Sequence, residues 1–196
     1  GLRHQLVGQE TTGVGGMAMA LRTIPVILDI ARDIQILAPD ALLLNFTNPS
    51  GLITEALNIY APQITSVGVC NSAFTTKMEI LHRLSAANGK KYSVDQAEIL
   101  TLGLNHLSWT YGFTVDRKDV WPEVFKLYVQ HLHDSENPEF DPNAITRLKM
   151  IPNSYLAYYY EEKRKIKEQE NWPPSRAEQV MSLEKELLDY YQDPAQ

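Results

Sequence analysis

Ala20, Ile24, Ile27, Ile30 and Ile34 recur at helical spacing and predict a helix over 17–38, behind a small, turn-rich stretch at 11–16. Pro25 interrupts it, so either a second helix restarts with Pro25 in its first turn and Thr23 near its cap, or one long helix is kinked there. Residues 41–46 form a short, mostly apolar run of the kind expected of a strand buried on both faces, and Thr47-Asn48-Pro49-Ser50-Gly51 ends it in turn chemistry. A helix over 52–60 and a second short strand over 64–69, ending at Cys70, complete a β-loop-α-β unit. Residues 72–87 then predict an amphipathic helix with Phe74, Met78, Leu81 and Leu84 on one face, stopped by Asn88-Gly89.

From Glu98 the period changes. Residues 99–104 read as a strand, and Trp109, Tyr111, Phe113 and Val115 alternate with polar or small residues. Residues 116–119 make a turn, 121–132 a helix, and 134–143, with two prolines and four acids, a surface loop. Two helices close the chain, over 154–170 and 175–191. The second opens with the capping box Ser175-x-x-Glu178, and Val180, Leu183, Leu187 and Leu188 are its expected buried face. The order of elements is that of an α/β fold, a parallel sheet with crossover helices followed by a mixed region.

Composition narrows the function classes. Lys plus Arg number 18 against 24 Asp plus Glu, a net charge of −6, and no basic stripe marks a nucleic-acid surface. No apolar run approaches the roughly 20 residues needed to cross a bilayer, and residues 1–10 lack the regions of a signal peptide, so a cytoplasmic protein without a membrane partner is expected. The start lacks an initiator Met and reads as the interior of a longer chain. The single cysteine, Cys70, excludes an internal disulfide.

In open α/β sheets ligands lie at the carboxyl ends of strands, where this chain places Thr47-Asn48-Pro49 and Cys70-Asn71. Asn48 is also a turn former, and an unpaired cysteine is commonly a small buried hydrophobe. His106 follows a strand in Gly103-Leu104-Asn105-His106, and a thiolate and an imidazole at two strand ends could converge on one divalent metal. Gly13-x-Gly15-Gly16 lacks the preceding strand and the spacing of a phosphate loop. His131-x-His133 and the charges over 161–167 read as solvated faces. Tyr155, Tyr158, Tyr159 and Tyr160 cover nearly a whole turn, so some are expected in the core and one or two facing a cavity. Arg176, placed against the macrodipole in a first helical turn, hints at an anionic partner.

Five segments occur together in the order seen in family 4 glycoside hydrolases: Gly8-Gln9-Glu10-Thr11-Thr12-Gly13; Asn45 to Gly51 with Thr54-Glu55-Ala56; Gly68-Val69-Cys70-Asn71; Gly103-Leu104-Asn105-His106; and Ile151-Pro152-Asn153-Ser154-Tyr155. The chain resembles that family over nearly its whole length. The resemblance implies the second half of a Rossmann-like parallel sheet, of the lactate/malate dehydrogenase kind, over 1–70, followed by an α+β catalytic domain over 71–196. It implies NAD and a divalent metal, usually Mn2+, as cofactors, with Cys70 and His106 as metal ligands, Asn48 and Arg176 binding substrate, the latter near its phosphate, and Tyr155 as catalytic base. Asn71 follows the metal cysteine where relatives acting on α-glycosides tend to carry Asp, which favours β-linked substrates. Glu10 lies in a family motif without an assigned role.

The implied activity is hydrolysis of 6-phospho-β-glucosides, a phosphorylated disaccharide or an aryl β-glucoside 6-phosphate, by hydride transfer from C3 to NAD+, proton abstraction at C2, elimination, water addition and return of the hydride. This is an exception to two-carboxylate glycosidases. The alternatives are a relative acting on α-linked or unphosphorylated glycosides, and a non-catalytic module binding a sugar phosphate or metal. A homo-oligomer is expected from the aromatic second half. The Gly-rich first βα turn, a further arginine and the family's C-terminal region are absent from this sequence, so the chain made alone is expected to bind NAD+ weakly and to be inactive.

Overall fold

A computed structural model describes residues 1–172 and 176–192, the side chain of Arg176 excepted. Residues 9–161 form one compact unit, and residues 1–8 with 162–196 form another.

The larger unit begins with α1 (Gly13–Leu37), β1 (Leu43–Asn45), α2 (Ser50–Tyr60) and β2 (Ser66–Gly68). β1 and β2 pair in parallel, Leu43 opposite Ser66 and Asn45 opposite Gly68, with α2 as the crossover. The first helix starts at Gly13 rather than 17 and runs unbroken through Pro25. Its early start depends on the absence of side chains, since a Cβ on Gly15 would stand 2.2 Å from the Gln9 carbonyl oxygen. The unbroken helix is long and apolar enough to cross a membrane, with a mean hydropathy of 1.5 over its most apolar stretch. Of the two readings open at Pro25 the single helix is the one found, and the expectation that no apolar run approaches membrane length is corrected. One of its faces is packed: Ala31 is fully buried in a cluster with Ile53, Leu57, Ala61 and Ile64. The strand expected to be buried on both faces is covered on one, because Leu44 and its partner Val67 are 60% and 43% exposed.

α3 (Ser72–Asn88) ends at Gly89 in the left-handed conformation. It buries Ile80, Leu81 and Leu84, while Phe74 and Met78 of the predicted face lie about half exposed. β3 (Ala97–Leu104), β4 (Leu107–Val115), β5 (Lys118–Asp119) and β6 (Ile151–Pro152) form an antiparallel sheet in which β4 pairs with each of the others. Lys118-Asp119 is thus strand, and the turn is confined to Asp116-Arg117, both with positive φ. Phe113 and Val115 of β4 close a core against α3 and against Val124 of α4 (Trp121–Asp134).

The predicted surface loop ends in a further helix, α5 (Pro142–Leu148), whose cap Asp141 accepts a hydrogen bond from Asn143 N at 2.9 Å. Acid and proline, read as loop chemistry, are here an N-cap and first turn. Leu132, Phe140, Ile145, Leu156 and Ala157 make a third cluster beneath the tyrosine segment. That segment is a 3-10 turn (Ser154–Leu156) and a short α6 (Ala157–Tyr160), separate from α7 (Glu162–Glu170), where one helix was predicted. None of its four tyrosines enters the core; Leu156 and Ala157 do.

In the smaller unit the Gln169 amide pairs with the backbone of Gly8 in both directions, at 2.8 Å each. Arg164 and Lys165 both pair with Glu168 on α7. In α8 (Arg176–Gln192), Val180, Leu183, Leu187 and Leu188 are 43 to 57% exposed, contrary to the expected buried face. Periodicity reports an apolar stripe, but its burial needs a partner surface. Ser175 of the expected capping box lies outside the described residues.

Candidate functional site

Parallel pairing brings the carboxyl ends of β1 and β2 to one edge, and Val69 N donates to Asn45 O at 2.8 Å just beyond the last pair. The buried Asn45 side chain shapes the loop that follows, its Nδ2 donating to Thr47 O at 3.1 Å and its Oδ1 accepting from Thr47 N at 3.2 Å. The half-buried Asn48 leaves this loop, and Cys70 leaves β2, at the same edge.

The second sheet supplies His106. It is the last residue of the two-residue turn joining β3 to β4, with φ of 64°, in the left-handed region that histidine tolerates better than most residues. Gly103 before the turn has φ of 104°, and a Cβ there would meet Leu107 O at 2.3 Å. Gly103→Ala is therefore expected to cost about 1–3 kcal/mol of stability and to displace His106; thermal unfolding and metal titration of the variant check both, and an unchanged melting point would contradict it. His106 is 7% exposed, and its Nε2 lies 3.3 Å from Cys70 Sγ. Burial holds its pKa below the usual 6.5, so the ring is neutral at pH 7 with a nitrogen lone pair to offer. Ser72 N, in the first turn of α3, donates to the sulfur at 3.4 Å.

Tyr155 enters from the 3-10 turn and stacks on His106, ring centroids 3.7 Å apart and planes within 1°. Buried Leu156 and Ala157 anchor it from one side. Asn153 holds it from the other: its backbone N donates to Ser108 O at 2.9 Å, its Oδ1 accepts from Tyr155 N at 3.0 Å, and its Nδ2 donates to Ser72 Oγ at 2.7 Å. One buried hydrogen bond thus ties the helix that begins beside Cys70 to the turn that carries Tyr155. Sequence reasoning assigned no role to Asn153 or Ser72. An Asn ahead of a turn is a legible cap, but nothing local marks a partner so far along the chain. Burial raises the Tyr155 pKa above 10, and Tyr158, Cys70 and Glu10 add to the effect. Glu10, unassigned from sequence, therefore acts on this site electrostatically.

Among the described residues no group of three or more His, Cys, Asp or Glu side chains gathers as a metal site. The Cys70–His106 pair is what the chain offers. A sulfur and an imidazole nitrogen 3.3 Å apart can share one ion, given bonds of about 2.0–2.3 Å. Two protein donors leave room for oxygen ligands, as a catalytic site needs and a closed structural site does not. The cation would also offset the raised pKa of Tyr155, which by itself stays protonated at neutral pH. Cys70, His106 and Tyr155 are brought together, Asn48 shares the sheet edge with Cys70, and the side chain of Arg176 lies outside the described residues.

Comparison with known proteins shows the family of the chain. The model of the family 4 glycosyl hydrolases matches residues 1–86, and that of the family 4 glycosyl hydrolase C-terminal domain matches residues 101–196. The 6-phospho-beta-glucosidase of Escherichia coli (strain K12) is 34% identical over 98% of this chain and 44% of its own length. The 6-phospho-beta-glucosidase BglT of Thermotoga maritima is 35% identical over 97% of this chain and 44% of its own length. The structure of the Thermotoga maritima 6-phospho-beta glucosidase with manganese, NAD+ and glucose-6-phosphate matches with a TM-score of 0.77 at 33% identity, covering 98% of this chain and 44% of that one. The chain spans a little under half the length of the relatives it matches.

Proposed function

The chain belongs to the family 4 glycosyl hydrolases, and from this premise we propose that its protein hydrolyses 6-phospho-β-glucosides with NAD and a divalent metal, manganese first. The observation that carries the reading is the Cys70–His106 pair with Tyr155 stacked upon it. The names of the matched relatives, and the manganese, NAD+ and glucose-6-phosphate in the Thermotoga maritima structure, support it.

In this reading residues 1–70 belong to the dinucleotide-binding part and residues 71–196 to the catalytic part. An open carboxyl edge on a parallel sheet is where dinucleotides lie. When bound, the metal would supply charge stabilisation to oxygens of the sugar and NAD+ a hydride acceptor. The thiolate of Cys70 and Nε2 of His106 would hold the ion, with Ser72 N–H orienting the sulfur. Tyr155 Oη takes the proton from C2, the group on C1 leaves with a proton from solvent, water adds at C1 as a proton returns to C2, and return of the hydride to C3 leaves no net change of oxidation state. The stack on His106 and the Asn153 cap fix the Tyr155 ring, so the base is placed before the substrate arrives. Asn48 binds a sugar hydroxyl and Arg176 the phosphate, while the neutral Asn71 suits a β-linked substrate.

A free thiol as ligand suits the reducing cytoplasm. The test is an assay of the protein as its host makes it, with NAD+, Mn2+ and a reductant, on nitrophenyl glycosides. Turnover of the 6-phospho-β compound, abolished by chelation and restored by Mn2+, is expected. Faster turnover of the α-linked or unphosphorylated compound would overturn the reading.

A further inference from the structure

The candidate site stands on two substructures. His106 and Tyr155 ride on the antiparallel sheet: His106 lies in the β3–β4 turn, and β6, which leads into the Tyr155 turn, pairs with β4, Pro152 opposite Trp109. Cys70 instead follows β2 of the parallel sheet and stands just ahead of α3. α3 packs on the antiparallel sheet through Ile80, Leu81 and Leu84, and the helix between Ser72 and Ile80 advances about 12 Å. Apolar packing thus fixes the far part of α3, not the end beside Cys70.

We infer that Ser72 and Asn153 are positioning residues, and that the hydrogen bond between them sets the spacing at which Cys70 Sγ and His106 Nε2 can share one ion. The inference rests on the proposed metal pair and deepens it. Ser72 touches the cysteine, its N–H donating to Sγ at 3.4 Å, while its Oγ accepts from Asn153 Nδ2 at 2.7 Å. Asn153 touches the other substructure: its N–H donates to Ser108 O at 2.9 Å, two residues beyond His106, and its Oδ1 accepts from Tyr155 N at 3.0 Å. A backbone N–H can only donate, so Oδ1 is committed to Tyr155 and Nδ2 must face the serine. Ser72 and Asn153 are 8% and 6% exposed, and an amide left without a partner at such a depth is costly, so the two ends of the bond are held together.

Ser72→Ala and Asn153→Ser, made in the protein as its host makes it, cut the bond from either side. Alanine suits a first helical turn and keeps the N–H toward Cys70; serine keeps a cap oxygen for Tyr155 N but is too short to reach position 72. Titration calorimetry with Mn2+ and no substrate is expected to show about tenfold weaker binding in each, the cost of a lost outer hydrogen-bond partner. The double variant should match either single one within about twofold, because both remove the same bond. Ser72→Thr, which retains the hydroxyl, should bind within about twofold of the parent. A merely structural bond would lower the melting temperature of Ser72→Ala and leave the affinity of the folded protein alone. Unchanged affinity in either single variant, losses that multiply in the double one, or no rescue by threonine would overturn the positioning role. If affinities behave as expected while no 6-phospho-β-glucoside is turned over, the positioning role stands and the activity reading falls. If the parent turns that substrate over and the variants bind Mn2+ as tightly as it does, the reverse holds. A parent protein that binds no Mn2+ overturns the positioning role and the metal pair together.

Discussion

Tyr155→Phe is expected to lower turnover by about a hundredfold to ten-thousandfold, the range for loss of a general base, while metal affinity stays within a factor of about two. Phenylalanine keeps the ring that stacks on His106 and the packing of Leu156 and Ala157, and removes only the oxygen that takes the proton. The pH profile separates this role from a structural one. Burial, then Tyr158, Cys70 and Glu10, hold the Tyr155 pKa above 10. The active form is the deprotonated one, so turnover rises with pH, and a bound cation, which favours the phenolate, moves that rise to lower pH. The Phe variant should lose the rising limb, and tyrosinate absorbance in the parent protein should appear at lower pH when Mn2+ is added. Wild-type turnover in the Phe variant, or a tyrosinate titration indifferent to the metal, would remove Tyr155 from the reaction.

Cys70→Ser and His106→Ala should each weaken metal binding by more than about a hundredfold, beyond what loss of an outer hydrogen-bond partner costs, and abolish turnover at ordinary Mn2+ concentrations. With Sγ and Nε2 3.3 Å apart and no third protein donor gathered beside them among the described residues, each residue is half of what the chain supplies. The two variants should also differ. His106→Ala removes the ring on which Tyr155 stacks, so excess metal rescues it less than it rescues Cys70→Ser. In the parent protein affinity should fall as pH falls, because binding at Cys70 releases the thiol proton, while burial, which lowers the His106 pKa, keeps the imidazole from adding to that fall near neutral pH. Titration calorimetry with Mn2+ across pH measures both effects, and an unchanged affinity in either variant would refute that ligand.

Elements of regular period were legible in the chain. The β-loop-α-β order, the helix that stops at Gly89 and the β3–β4 alternation follow from local spacing and turn residues, which act within a few positions. Boundaries set by contacts were not. The early start of α1 depends on Gln9 lying against Gly15, and α5 on an acid-proline pair that serves equally well in a loop. Burial was misjudged where a stripe met no partner surface, as at Phe74 and along α8, because periodicity orients side chains but does not supply what covers them.

The candidate site divides in the same way. Residue types and ordered motifs were sufficient, by the sequence alone, to single out Cys70, His106 and Tyr155 and to suggest which family's chemistry they serve, since ligand and base chemistry reside in the side chains themselves. Their meeting was decided by the tertiary structure. A parallel strand end, a left-handed hairpin turn and a capped 3-10 turn converge from three regions of the chain, joined by the Asn153–Ser72 bond across 81 positions. Distance and burial arise only when those regions pack. So do the neutral imidazole and the raised tyrosine pKa, because desolvation belongs to the folded surroundings and not to the residue.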